Sequence, residues 1–231
     1  KINLISKSLK TAYFEFNWKL YQKLLNKSFE NTVLLTNDLD TLLPNFLLSK
    51  KKKIPLVFDS HEIFTEMPAI QGKISQKIWR FAENKMLPHI EFMMTESESY
   101  AKWFHEKYNV TPVVVRNIPK KLPLQEKTLT QNPKIILYQG AINPSRGIDK
   151  AILAMKFIEN ANLIIVGDGP MRKKYEAFAV SNHLAHKVQF LGKKRPSELR
   201  TITQKANVGI SLEENNGVSY YYSLPNKVAD Y

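Results

Sequence analysis

Short runs of β-branched and aromatic residues recur along the chain at 33–35, 54–58, 92–94, 113–115, 135–138, 163–166, 188–191 and 208–211. Runs this short and apolar predict buried strands. Amphipathic stretches of helical length lie between most of them, at 14–26, 74–87, 100–107, 148–158, 171–181 and 196–205. Such alternation predicts an α/β protein with parallel sheets, covered by helices on both faces and joined by right-handed crossovers. The pattern lapses between Asn117 and Pro133 into prolines and polar residues. The expected organisation is therefore a Rossmann-like domain over 1–118, a linker over 119–133 and a second Rossmann-like domain over 134–231. In doubly wound folds ligands bind beyond the carboxyl ends of the strands, so functional residues should follow strands and a ligand should lie between facing halves.

Four segments fit that rule. After the strand at 135–138 come Gly140, where backbone can approach a ligand, and Arg146, whose planar fork of donors suits phosphate oxygens. The bland alternative is a strand–helix turn with a solvated arginine. The strand at 163–166 runs into Gly167-Asp168-Gly169-Pro170, which is neither a Walker loop nor a complete dinucleotide fingerprint. Gly167 is read equally as a tight turn or as a ligand contact. Near the end of the chain, Asn226, Lys227 and Asp230 share one face of a helix start, with Ser223 as its expected cap. An anion at that terminus, Lys227 adding charge and Asp230 accepting from ribose hydroxyls would make a nucleotide site; an ordinary surface salt pair is the alternative. In the first half, Asp59-Ser60-His61-Glu62 follows a strand and puts His61 at its carboxyl edge. A structural histidine, its ring bonded by Asp59 or Glu62, fits equally.

Composition narrows the field. The chain has 231 residues, no cysteine and five histidines without paired spacing, so neither disulfides nor a zinc site are expected. No apolar run approaches the roughly 20 residues that span a bilayer, and no export signal opens the sequence. A cytoplasmic location is the expectation. The formal charge of +13 implies an anionic partner: nucleic acid, a lipid surface or a phosphorylated substrate.

Taken in order, Asp59-Ser60-His61-Glu62, Val114-Val115-Arg116-Asn117, Tyr138-Gln139-Gly140 through Arg146-Gly147, Val166 through Pro170 and Leu224-Pro225-Asn226-Lys227 through Asp230-Tyr231 resemble the retaining glycosyltransferase family 4 (group 1) of the GT-B fold. The resemblance covers nearly the whole chain. It implies transfer of a sugar from a nucleotide-sugar donor to a glycan or lipid-linked acceptor, with retention, without metal and without a cofactor. It places Arg146 where a lysine usually neutralises the donor diphosphate, and Ala141 where a second arginine often stands. Gly140, Gly167, Asn226, Lys227 and Asp230 fall in the donor site. Asp230 matches the second of two acidic residues eight apart, shortened from the usual glutamate; Tyr222 falls at the first, with Glu213 and Glu214 in the preceding loop. His61 falls at a cleft histidine that touches the transferred sugar, so His61 and Arg146 are the expected catalytic residues. Both halves are expected to be incomplete at the outer ends and the piece inactive alone.

Two rival functions remain: a nucleotide-sugar epimerase on the same scaffold, and a basic nucleic-acid-binding protein using 50–53, 172–174 and 193–195, which lacks an aromatic–basic motif. No nucleic-acid partner is therefore expected. Those clusters with Tyr13, Phe14, Phe16 and Trp18 also suggest peripheral contact with an anionic membrane, at the inner face of the plasma membrane. Core packing of the aromatics is the alternative.

Overall fold

The computed structural model describes residues 2–119 and 132–231. Most of the expected linker, 119–133, lies outside the described residues. The chain divides into two units, Lys1–Arg116 with Gly217–Ser223, and Asn117–Asn216 with Leu224–Tyr231.

The first unit runs α1 (Leu9–Leu25), β1 (Leu34–Asn37), α2 (Leu39–Lys52), β2 (Leu56–Ser60), a 3₁₀ turn (Phe64–Glu66), α3 (Ile74–Met86), β3 (Phe92–Thr95), α4 (Glu98–Tyr108) and β4 (Val113–Val114). Its four strands form a parallel sheet in the order β1-β2-β3-β4. Sheet alternation turns Leu34, Leu56, Phe58 and Met93 into a core shared with Leu42, Leu48, Tyr100 and Phe104. The opposite sheet face carries Leu35 and Phe92, both exposed.

Helix α2 was not anticipated, because Pro44 sits inside it. Proline lacks the N–H that would bond the carbonyl four residues back. That carbonyl, Asp40 O, instead accepts a hydrogen bond of 2.9 Å from Asn17 Nδ2 on α1. The same amide donates to Tyr13 O at 2.8 Å, so one side chain repairs α2 and locks α1 beside it.

The second unit runs β5 (Lys134–Gln139), α5 (Ile148–Ala154), β6 (Ala161–Val166), α6 (Arg172–Ser181), β7 (Val188–Gly192), α7 (Pro196–Lys205) and β8 (Val208–Gly209). These strands are parallel, in the order β7-β6-β5-β8. Tyr138, Leu163 and Ile165 pack with Ile152 and Tyr175 of α5 and α6 on one face, while Leu137 and Val166 pack with Leu199 and Ile202 of α7 on the other.

The expected second domain, 134–231, is interrupted. A short helix α8 (Val218–Tyr221) lies in Gly217–Ser223, which groups with the first unit. The reason is specific bonding: the buried Tyr100 hydroxyl donates to Ser219 O at 2.8 Å, and Val218 packs on the first core. The chain then returns to the second unit for α9 (Asn226–Asp230). The N-cap position of α9 is Pro225, not the expected Ser223, whose hydroxyl bonds Tyr220 O and closes α8 instead.

At the carboxyl ends of β5 and β6 two loops pass at backbone contact. Gly140 N donates to Val166 O at 2.9 Å and Ile142 N to Asp168 O at 2.9 Å. Gly167, at φ 144°, has no room for a side chain: a Cβ there would lie 1.8 Å from Gly140 O.

Two stability predictions follow from these contacts. Asn17→Ala strands the Asp40 carbonyl and should cost about 1–3 kcal/mol in denaturant unfolding; an unchanged midpoint would mean that carbonyl is satisfied another way. Gly167→Ala should cost about 2 kcal/mol or more through clash and strain combined. Gly72→Ala, where a Cβ meets nothing within 4 Å at φ 73°, should cost less. Equal losses at the two positions would remove the close-approach argument.

Candidate functional site

The second unit gathers its charged residues where its strands end. Arg146 lies in the loop between β5 and α5, Glu213 in the segment after β8, and Lys227 in the first turn of α9. Glu213 Oε1 accepts from Arg146 Nη1 at 3.2 Å and from Lys227 Nζ, and Ser211 Oγ donates to its other oxygen. The Lys227 and Glu213 side chains are each only 9% exposed. The Lys227 ammonium also stands 4.9 Å from the Tyr138 ring centroid, over a face that attracts cations.

Burial opposes both charges here, and the two groups respond differently. For Lys227, desolvation is the largest influence and Arg146 adds repulsion; together they hold its pKa below the usual lysine value against the pull of Glu213. For Glu213, desolvation pushes upward, but the hydrogen bonds from Lys227 and Ser211 outweigh it, so its pKa lies below the ordinary value. The cluster thus joins two cations through one carboxylate in a largely dehydrated place. That is an electrostatic setting for an anion.

The structure brings Gly140 into this cluster, since a Cβ at Gly140 would lie 3.5 Å from Lys227 Cε. Gly167 adjoins it through backbone; its φ of 144° fits the turn reading, and the close approach described above is a second reason for glycine there. Asp230 is exposed, and its Oδ2 accepts from Gln139 Nε2 at 3.0 Å; Gln139 is itself held by Thr203 Oγ1 at 2.7 Å. Asn226 is exposed at the start of α9. That helix has five residues, too few aligned peptide dipoles to carry an anion by themselves. Lys227, rather than the helix terminus, is the source of positive charge. Tyr231 pins this end of the chain: its hydroxyl accepts from Gln139 N and donates to Ile210 O, each at 3.1 Å.

His61 belongs to the first unit and follows β2. Its Nε2 lies 3.2 Å from Asp59 Oδ2, and its backbone N–H donates to Asp38 Oδ1 at 3.0 Å. The ring is 42% exposed, so it is oriented without being sealed. Asp38 follows β1 with φ 57° and ψ 165°, a backbone region that costs non-glycine residues about 1–3 kcal/mol. Its N–H donates to Asp59 O at 2.8 Å, and burial raises the pKa of its carboxyl.

Glu213 and Asp38 are the residues that sequence reasoning left without a role. Asp38 directly follows β1 and Glu213 lies four residues beyond β8, but nothing local distinguishes either from an ordinary loop acid. Among the described residues no three His, Asp or Glu side chains are grouped as a metal site.

Residues 120–218 match the family described as glycosyl transferases group 1. An uncharacterized glycosyltransferase of Methanocaldococcus jannaschii is 38% identical over 81 residues, which is 35% of this chain and 22% of that protein. Among solved structures, sucrose-phosphate synthase from Thermosynechococcus elongatus superposes with a TM-score of 0.78 at 16% identity, covering 99% of this chain and 61% of that one. Anabaena HepE in complex with UDP-glucose gives 0.66 at 16% identity, covering 84% and 57%. The chain therefore spans less than two thirds of each of these proteins. Residues 120–218 are thus similar in sequence to the group 1 glycosyltransferases, and the chain has the GT-B fold.

Proposed function

We propose that this chain is the core of an enzyme that transfers a sugar from a nucleotide-sugar donor to a glycan or lipid-linked acceptor. The observation that carries the reading is the pairing of Arg146 and Lys227 on Glu213 beside the Gly140 backbone. Cleaving the bond between the anomeric carbon and the diphosphate builds negative charge on the leaving phosphate and positive character on the sugar. Cations already oriented where that charge appears stabilise the transition state without reorganising. Glu213 serves as their counter-ion before the donor arrives, and phosphate oxygens would then compete for the same donors. Charge neutralisation is assigned to these side chains rather than to a metal.

Further support comes from a related fold: Anabaena HepE was crystallised with UDP and with UDP-glucose. By analogy the exposed carboxylate of Asp230 would accept from the ribose. His61, aimed by Asp59 and Asp38, would touch the transferred sugar. Retention of anomeric configuration is the expectation that the family resemblance carries into this reading.

Binding of UDP and GDP, with and without their sugars, tests the proposal by calorimetry or thermal shift. Arg146→Ala should weaken binding about tenfold to a hundredfold, the worth of a charge-assisted hydrogen bond. In the complete enzyme it should lower turnover about a hundredfold or more. Unaltered affinity and turnover would withdraw the assignment.

The sign of the Glu213 effect is also fixed. A carboxylate whose folded pKa is depressed contributes stability above its unfolded pKa, and that contribution is lost as pH falls through the folded value. Thermal midpoints of the ligand-free protein, followed from about pH 7 to about pH 3, should fall less steeply in Glu213→Gln than in the wild type. Glu213→Gln should also be less stable at neutral pH, because two partly buried cations lose the carboxylate they share. Parallel pH curves would show that the pair carries no such linkage.

A further inference from the structure

Helix α3 carries apolar residues on its outer side as well as on the side that packs on the core. Its acid, Glu83, points into the first unit, where its carboxylate accepts from Thr65 Oγ1 at 2.7 Å and from the Tyr108 hydroxyl at 2.6 Å. Trp79, Ala82 and Met86 also pack on that core, whereas Ile74, Ile78 and Phe81 face outward, 78%, 47% and 66% exposed. Their spacing of four and then three residues puts all three on one stripe. Beside that stripe stand exposed Lys73, Lys77 and Lys85, while Arg80 turns aside to bond Glu66, and no exposed position from Lys73 to Lys85 is acidic. Lys85 Nζ lies 5.9 Å from the Phe81 ring centroid, so its stem runs along the apolar surface while the ammonium stays outside.

The chemistry of this face selects its partner. Lysine is depleted in protein–protein interfaces, whereas lysines bordering isoleucine and phenylalanine are the pattern of helices lying in the headgroup layer of a membrane. A second copy is disfavoured by symmetry, because a two-fold contact would set these cations against their own equivalents. Among the described residues no helix is long and apolar enough to cross a membrane, so the stripe can only rest on one. We infer that the outer face of α3 docks on an anionic bilayer, Ile74, Ile78 and Phe81 entering the acyl boundary while the lysine ammoniums meet lipid phosphates. This surface is separate in sequence and unit from the Arg146–Lys227 cluster and does not depend on the function proposed for it.

Sedimentation with vesicles of equal parts phosphatidylcholine and phosphatidylglycerol, against phosphatidylcholine alone, tests the inference. The protein should sediment with the anionic vesicles at low salt and be released as salt rises. Charge reversal by Lys73→Glu with Lys77→Glu should lower partitioning about thirtyfold or more, and Ile78→Ser with Phe81→Ser about tenfold or more. Phe157→Ser, at an 87% exposed site of the second unit, should change nothing. UDP or GDP binding, measured on the same variants, should also be unaltered. Lys73, Lys77, Ile78 and Phe81 are all exposed, and should the apolar pair nevertheless unfold, the lysine pair still decides. No sedimentation with anionic vesicles, equal sedimentation of the lysine variant, or a self-association that Phe81→Ser abolishes would each overturn the assignment.

Discussion

The second unit depends on one close approach. Gly167 passes the Gly140 carbonyl at a separation that excludes even a methyl group. The backbone bonds on either side, Gly140 N to Val166 O and Ile142 N to Asp168 O, hold the two loops in that crossing. Because the loops are tied at the strand ends, the segment leading to Arg146 departs from a defined point. Gly140 then lies open to Lys227, and the two cations can meet on one carboxylate. A side chain at Gly167 would push apart the scaffold on which this convergence rests.

Burial gives the two charged regions opposite characters. Around Glu213 the charges are partly dehydrated, so their pairing is strong, their geometry is held and their pKa values move. An anion entering there exchanges one set of ionic bonds for another in a low-dielectric place. Along α3 the cations are in water and screened, and each contributes little until an extended anionic surface presents many partners at once. One arrangement suits a single small ligand; the other suits a surface.

Much of the fold was legible because parallel strands buried by helices leave short apolar runs that local composition reveals. Helix α2 was not legible for a reason that can be named. Pro44 argues against a helix locally, and the compensating donor to the Asp40 carbonyl is Asn17, 23 residues away. Ser223 carried a proper capping signal, yet its hydroxyl served the preceding helix. Gly167 looked like a turn residue or a ligand contact, and its actual neighbour is another loop's backbone.

The sequence by itself determined the alternation of elements, the strand ends at which Gly140, Gly167 and His61 fall, and the positions of Arg146, Lys227 and Asp230. Those properties follow from periodicity and residue type, which are local. Tertiary structure alone decided that Glu213 joins Arg146 to Lys227, that Asp38 aims the backbone of His61, and that Gly217–Ser223 belongs with the first unit. Each of these is a contact between residues distant in the chain, and its strength comes from excluded water. Neither distance nor dehydration is written in a linear pattern.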